Sequence, residues 1–248
     1  ITARDTSTSG TMTDNVPQTR IYREWNTPGI DAGGNDQQML DLATTVLGGS
    51  KTSRLYQRLV YQDKLADDVS VGAMPFELAS MTLLQVDVKK GVDPAKVEAA
   101  IADEWAKFLK DGPTADELAR AKTTYQASTI RGLEQVGGFS GKAVTLAEGQ
   151  VYRNDPGAWK KDYDATMAAT PAGVKAAADK WLSKGDYTLT VVPGKVEAKD
   201  AADIAGRTAI PGRPADKLTS KGDYKVTRSD VDRAKGVPQV TTFPELSF

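Results

Sequence analysis

Residues 137–142 (GGFSGK) place three glycines ahead of a lysine, and a glycine-rich loop of this kind can hold a phosphate group against its backbone N–H groups. The phosphate-binding loop also needs a glycine where this sequence has Val136, and a serine or threonine where it has Ala143. Such a loop follows a strand, whereas the pattern here predicts a preceding helix. We therefore interpret the stretch as a turn between two helices.

Several aspartates lie close enough in sequence to act together as a general acid and base or to hold a cation. Asp67 and Asp68 are adjacent in a predicted strand, where neighbouring side chains point to opposite faces, so they do not face each other across a substrate. Asp155, Asp162 and Asp164 do not follow the spacing of a calcium-binding loop. We predict solvated carboxylates and no metal site.

Arg54 and Arg58 lie four residues apart in a predicted helix, so both guanidinium groups project from one face. Such a pair can bind a carboxylate or a phosphate. An arginine pair of this spacing is more often solvated than ligand-bound, and we predict a solvent-exposed pair.

The residues that this chain lacks exclude several classes of catalytic site. Its 248 residues include no histidine and no cysteine, which excludes imidazole acid–base catalysis, Ser-His-Asp triads, thiol catalysis and disulfides. Catalytic zinc sites take ligands rich in histidine, so an independent zinc enzyme is not expected. With a formal net charge of −1 and no long apolar run, we predict neither nucleic-acid binding nor membrane insertion.

The hydrophobic periodicity predicts an α+β fold, a mainly antiparallel sheet with helices packed on one face. The order is strand, two helices, strand hairpin, several helices and a final strand. Gly48 and Gly49 are predicted to end the first helix. The predicted strands cover residues 20–25, 69–73, 82–88 and 187–191, and the helices begin near Asn35, Ser53, Asp93, Thr114, Ser140 and Thr170.

Changes in composition suggest the domain boundaries. Residues 1–17 are rich in threonine, serine and aspartate without periodicity, and we interpret them as a lead-in linker. Residues 18–193 form the predicted α+β domain. Residues 194–248 are polar and contain prolines, so we predict an extended interdomain linker or arm, with a hint of a strand at 223–227. Because the sequence starts at Ile1, we expect a piece of a longer protein.

Residues 47–71 (LGGSKTSRLYQRLVYQDKLADDVSV) carry the most informative motif. This motif resembles the second domain of the insulinase- or pitrilysin-type (M16) zinc metallopeptidases. The resemblance lies in the order of a glycine-rich turn, the run SRLY from Ser53, a charged segment, and a strand entered through Leu65 and Ala66. The stretches PTADELAR and YTLTVVP resemble later parts of that domain, and residues 232–248 resemble the linker between the halves of long bacterial members. The chain is thus similar to the noncatalytic second domain of the first half of such a protein.

The resemblance implies that this chain has no catalytic, cofactor-binding or metal-binding residue of its own. The family's zinc motif, His-x-x-Glu-His, lies in the first domain, and the arginine and tyrosine that assist catalysis correspond here to Val60 and Asp67. Zinc is therefore expected in the catalytic domain of the parent protein. The turn of Gly48, Gly49 and Ser50 lies where a noncatalytic relative has a glycine-rich substrate loop, so it is the candidate contact with substrate.

The function implied by the resemblance is that of a domain in a larger zinc-dependent endopeptidase. It would pack beside the adjacent zinc domain and the second half of the same protein, and help to wall a chamber for unfolded peptides. A bacterial parent that is periplasmic or otherwise exported is expected. Two alternatives stay open: a structural or assembly domain of the same fold without peptidase activity, as in the core subunits of a respiratory complex, and an unrelated α+β module that binds peptides along an exposed edge strand.

Overall fold

Five strands form one mixed sheet in the part of the chain that the computed structural model describes, which is residues 3–30, 32, 34–139 and 141–195. The strand order is β1-β5-β2-β4-β3, and only β1 and β5 run parallel to each other among these neighbours. The strands are β1 (Thr8–Asp14), β2 (Arg20–Pro28), β3 (Ala66–Met74), β4 (Ala79–Val88) and β5 (Tyr187–Pro193).

The helices form a layer on one face of this sheet, as the sequence predicts. α1 packs on β3 and α7, and a short helix, α2, continues directly as a π-helix before β3. The helices are α1 (Asp36–Gly48), α2 (Arg54–Tyr56) with the π-helix (Gln57–Gln62), α3 (Pro94–Asp111), α4 (Ala115–Glu134), α5 (Lys142–Arg153), α6 (Ala158–Ala168) and α7 (Pro171–Trp181).

A pair of stacked indoles joins the sheet to the helical layer. The ring of Trp25 on β2 lies 4.4 Å from that of Trp105 on α3, and the two planes are nearly parallel. Trp105 donates its Nε1–H to the carbonyl of Leu182 at 3.1 Å, so its one polar group is satisfied in the core. Phe108 of the same helix is also buried, so both aromatic residues of α3 belong to the core.

Capping side chains set where several helices begin. Asp93, Thr114 and Thr170 each accept a hydrogen bond from a backbone N–H group in the first turn of α3, α4 and α7, respectively. Thr114 and Glu117 form a complete capping box at the start of α4, where the sequence predicts that a helix begins. Asn35 precedes α1 as predicted, but its side chain makes no capping bond.

The first strand corrects the interpretation of residues 1–17 as a linker. Thr8–Asp14 pairs with Tyr187–Pro193 along its whole length and forms an edge of the sheet. Because most of its side chains are exposed, β1 has no apolar alternation for a sequence pattern to detect. Its pairing with a strand almost 180 residues away decides its conformation, which local composition does not encode.

The helical region after Gly112 also differs from the prediction. α4 ends at Glu134 and α5 at Arg153, and α6 follows them where the sequence predicts no helix. α6 buries only Ala158 and Thr166 and has no side-chain cap, so it lacks the large apolar stripe and the start signal on which helix prediction depends.

The described helices are not long and apolar enough for any of them to cross a membrane. The predicted arm or linker beyond Lys195 and the suggested strand at 223–227 lie outside the described residues.

Candidate functional site

One face of the sheet has no described helix packed on it. Paired residues on neighbouring strands project to the same side, so the strand register defines the two faces. Ile21 and Trp25 project into the core, whereas Tyr22 projects to the other side together with Leu189 of β5 and Gln85 of β4. Along β4, buried residues alternate strictly with half-buried ones.

We call this uncovered surface the helix-free face. Its residues follow from the register of the five strands. They are Thr8, Gly10 and Met12 of β1, Tyr187, Leu189 and Val191 of β5, Arg20, Tyr22, Glu24 and Asn26 of β2, Met81, Leu83, Gln85 and Asp87 of β4, and Asp68, Ser70, Gly72 and Met74 of β3.

Apolar and polar side chains alternate in space across the helix-free face. Met12, Met74 and Tyr187 are 44%, 42% and 37% exposed, and Leu83 near the centre is half-buried. A sheet with one face in water usually presents polar residues there. The concentration of methionine, leucine and tyrosine on this face therefore indicates a contact surface.

Two glycines shape this surface. At Gly10, an added Cβ would lie 2.9 Å from the hydroxyl of Tyr187, so the tyrosine ring lies across the strand where a side chain would otherwise stand. At Gly72, no atom lies within 4 Å of an added Cβ, which leaves an open depression beside Leu83. The face thus has both a covered and an open region.

The outer edge of β3 borders the helix-free face. β3 pairs with β4 on one side, and no strand in the described residues pairs with its other side. The register shifts between Ala66 and Asp68, which marks a bulge near the start of the strand. The backbone from Val69 to Met74 therefore has hydrogen-bonding groups available at a sheet edge.

Arg54 and Arg58 are not the solvated pair that the sequence predicts. The Arg54 guanidinium binds both carboxylate oxygens of Glu117 at 2.7 Å and the carbonyl of Gly112 at 3.0 Å. Arg58 forms ion pairs with Asp63 and with acidic residues of α3. Each of the two cations binds at least one carboxylate from a helix distant in sequence, which helix spacing alone does not reveal.

The aspartates singled out in the sequence do not form a site. Asp67 and Asp68 are exposed on β3. Asp162 is not simply solvated, because Arg153 binds its two oxygens at 2.7 and 2.8 Å and Gln38 donates to it at 2.9 Å. Among the described residues, α5 follows α4 with no strand before it, which agrees with a connection between two helices.

The structure places the turn of Gly48, Gly49 and Ser50 in the helical layer. Gly48 is buried against β3. An added Cβ would lie 2.7 Å from the backbone nitrogen of Val71, so the lack of a side chain at this position permits α1 to approach β3. Gly49 and Ser50 are exposed, in a small cleft that includes Arg120 of α4. The turn and the helix-free face are separate surfaces.

Asp41 is a titratable residue that sequence reasoning missed. It lies on α1 between apolar positions, and Gln37 donates to its carboxylate at a long 3.3 Å. Removal from water raises the pKa of Asp41 to about 7; the Gln37 bond opposes this rise, and the nearby charge of Asp162 adds to it. No basic side chain among the described residues pairs with its carboxylate, so we assign it no chemical role.

The chain does not fit a catalytic zinc ion. Zinc prefers histidine and cysteine, and the sequence has neither. Within the described residues, no three acidic side chains converge in a way that could hold a metal ion. We derive no zinc-dependent step from this chain.

Comparisons with known proteins support the fold. Residues 4–125 match the family model described as the peptidase M16 inactive domain. None of the curated proteins matches this sequence.

Solved structures share the fold at low sequence identity. A protease from Helicobacter pylori aligns with a TM-score of 0.68 and 19% identity over 77% of this chain and 45% of its own. A peptidase M16 inactive domain structure from Pseudomonas fluorescens gives a TM-score of 0.65 and 19% identity over 77% and 45%. The periplasmic protease PqqL from Escherichia coli aligns with a TM-score of 0.61 and 18% identity, over 77% of this chain and 21% of its own.

The chain therefore spans less than half of the length of these proteins. The sequence match begins before β1 and runs into α4, and the structural matches cover 77% of this chain. The sequence match thus assigns residues 4–125 to an inactive domain of the peptidase M16 family, and the solved structures share the fold.

Proposed function

We propose that this chain is a noncatalytic domain of a zinc-dependent endopeptidase and that its helix-free face forms part of the wall of a chamber for unfolded peptides. The observation that carries the proposal is the uncovered sheet face with its half-buried apolar residues, among them Leu83 and Leu189. A sheet face in water usually presents polar residues, so apolar residues on a face that no described helix covers indicate a contact surface.

The chemistry of this face suits peptides of varied sequence. Met12, Met74 and Met81 have flexible thioether side chains that adapt to different apolar groups. Ser70 and Gln85 are uncharged and can exchange hydrogen bonds with the backbone of an extended peptide. Such a surface would hold an unfolded segment without selecting one sequence.

Catalysis would then belong to another domain. Because this chain lacks histidine and cysteine, the zinc ion would be held by an adjacent M16 domain, with a second half of the same protein completing the chamber. The chain's coverage of only 45% and 21% of two similar proteases supports such a larger parent. The periplasmic location of PqqL supports an exported bacterial parent.

A photocrosslinking experiment on the full 248-residue chain tests the peptide-contacting role. A photoreactive amino acid replaces Gln85 on the helix-free face or, as a control, the exposed Lys96 on α3. After irradiation with an unstructured labelled peptide, we expect at least tenfold more crosslinked product from position 85. Equal yields from the two positions would contradict the proposal.

The same fold could instead serve only in assembly. The sequence of the accompanying zinc domain separates the two roles: a His-x-x-Glu-His motif there supports the peptidase, and its loss supports a structural domain.

A further inference from the structure

A second surface, formed by residues other than those of the helix-free face, has the features of a ligand site. It is a cleft of about 470 Å³ between the β3–β4 turn and helices α5 and α6. This volume is within the range of ligand-binding pockets. Its lining includes both aromatic and acidic residues, contributed by the turn and by both helices.

Three aromatic side chains line the cleft. Phe76 of the turn and Tyr152 of α5 are 49% and 45% exposed, and Trp159 of α6 is half-buried. Aromatic faces attract cations, and they also pack against the aliphatic stem of a long basic side chain. An arrangement of this kind is poorly suited to an anion.

The charged groups of the cleft favour a cation as well. Glu77, Glu148 and Asp162 contribute three carboxylates and Arg153 one guanidinium, which leaves a formal charge of −2. Arg153 binds both oxygens of Asp162, so that pair is neutral as a whole. Glu77 and Glu148 are exposed and form no ion pair with any described residue.

The walls of the cleft are held in place before any ligand binds. The N–H of Ile30 donates to the carbonyl of Phe76 at 3.0 Å, and its own carbonyl accepts from Arg153 at 3.4 Å, so one residue connects the turn to α5. At Gly149, an added Cβ would lie 2.5 Å from the carbonyl oxygen of Asp155, which permits the close approach of α5 to the start of α6. A preformed cleft loses little entropy on binding.

We propose that this cleft binds an arginine or lysine side chain of an extended peptide. The aromatic rings would cover the aliphatic stem, while Glu77 and Glu148 would face the cationic head. Leu78, the next residue of the turn, is almost fully exposed and extends the apolar surface beyond one side chain, which favours a peptide over a free small cation. The inference deepens the proposed function by naming a class of peptide, although its test does not need a chamber.

Titration of the full chain with fluorescent peptides tests the inference. Two unstructured peptides differ at one position only, which is arginine or its uncharged isostere citrulline. We expect the arginine peptide to bind at least tenfold more tightly at low salt, and its affinity to fall as salt rises because exposed charges are screened. A lysine peptide is expected to bind and an agmatine molecule to compete weakly.

Variants assign this binding to the cleft. We expect Glu77→Gln and Glu148→Gln each to weaken binding of the arginine peptide three- to tenfold. Neither variant should change the affinity for the citrulline peptide. Asp164→Asn is the matched control, since it removes an exposed carboxylate from α6 outside the cleft. Circular dichroism melting checks that each variant is folded.

Several outcomes would overturn the inference. They are equal binding of the arginine and citrulline peptides, no measurable binding at millimolar peptide, or an Asp164→Asn effect equal to that of Glu148→Gln. Self-association of the chain that Glu148→Gln abolishes would also overturn it, because the cleft would then hold a second copy. The two proposals can fail separately. If position 85 gives no more crosslinking than the control position but the arginine peptide still binds more tightly than the citrulline peptide, the chamber-wall proposal is refuted and the assignment of the cleft stands.

Discussion

The guanidinium of Arg54 binds the carboxylate of Glu117 through two hydrogen bonds of 2.7 Å, one from Nε and one from a terminal nitrogen. The same carboxylate caps α4 through the N–H of Thr114 at 2.8 Å, and the guanidinium lies over the ring of Phe108. One ion pair therefore connects α2, the end of α3 and the start of α4. We assign this pair a structural role, since the hydrogen bonds described here all join parts of the same domain.

Replacing Glu117 by glutamine should destabilise the domain. Removal from water would raise the pKa of Glu117, but the hydrogen bonds from Arg54 and Thr114 outweigh it and hold the pKa at about 2 rather than 4.5. Loss of the charge should cost about 1–3 kcal/mol at pH 7, because charge-assisted bonds are lost and Arg54 keeps no equal partner. Urea unfolding measures the difference.

The effect of Glu117→Gln should depend on pH in a known direction. A carboxyl with a depressed folded-state pKa stabilises the fold above the unfolded-state pKa, and this contribution disappears as pH falls from about 4.5 toward 2. The two proteins should therefore converge in stability over that interval. An exposed carboxylate, Glu98, supplies the control variant Glu98→Gln, for which we expect no such convergence.

Asp41→Asn should have the opposite pH dependence. Burial raises the pKa of Asp41 from 3.8 to about 7, so ionisation penalises the fold increasingly as pH rises through this interval. The asparagine variant should match the wild type near pH 4 and be more stable at pH 8. Because the residue as a whole is only half-buried, we expect a gain on the order of 1–2 kcal/mol.

Urea unfolding at pH 4 and pH 8 checks the Asp41 prediction. Asp68→Asn, an exposed carboxylate on β3, is the matched control and should leave the pH profile unchanged. A destabilised Asp41→Asn protein at pH 8 would show that the charged carboxylate has a favourable role in the fold.

Gly48→Ala tests the explanation of this glycine as a packing requirement. The new methyl group would approach the backbone nitrogen of Val71 to 2.7 Å, and backbone cannot move as cheaply as a side chain. We expect a loss of about 1–3 kcal/mol in unfolding free energy. Gly72→Ala should change stability little, since its added Cβ meets no atom within 4 Å.

The turn of Gly48, Gly49 and Ser50 as a contact with substrate stays a prediction. A photoreactive residue at the exposed Ser50 should crosslink an unstructured peptide if the turn lies on the peptide's path. The comparison is with position 85 on the helix-free face and with the control position 96. A yield at Ser50 no higher than at position 96 would remove the turn from the site.

Where local sequence dominates, the fold could be predicted from the sequence. Residues only a few positions apart determine three features of the fold: the capping box of Thr114 and Glu117, the proline at the start of α3 after Asp93, and the alternation of buried and half-buried residues along β4. β1 and α6 were missed because their conformations depend on partners that are distant in sequence. An exposed edge strand and a helix that buries mainly alanine and threonine carry little local signal.

The candidate surfaces were less predictable than the fold. The helix-free face is a set of alternate residues on five strands, and it becomes visible only when the register places Tyr22 beside Leu189 and Gln85. The cleft likewise joins Phe76 to Tyr152, which are far apart in sequence. In contrast, the lack of histidine already excluded a catalytic zinc site in this chain.

The central claim is that this chain is a noncatalytic domain. The most direct test is to measure whether the purified chain hydrolyses a peptide. The full 248-residue chain is incubated with zinc and an unstructured peptide, and the peptide is followed by mass spectrometry. We predict an intact peptide and no stoichiometric zinc on the recovered protein. Cleavage that a chelator abolishes and added zinc restores would contradict the account.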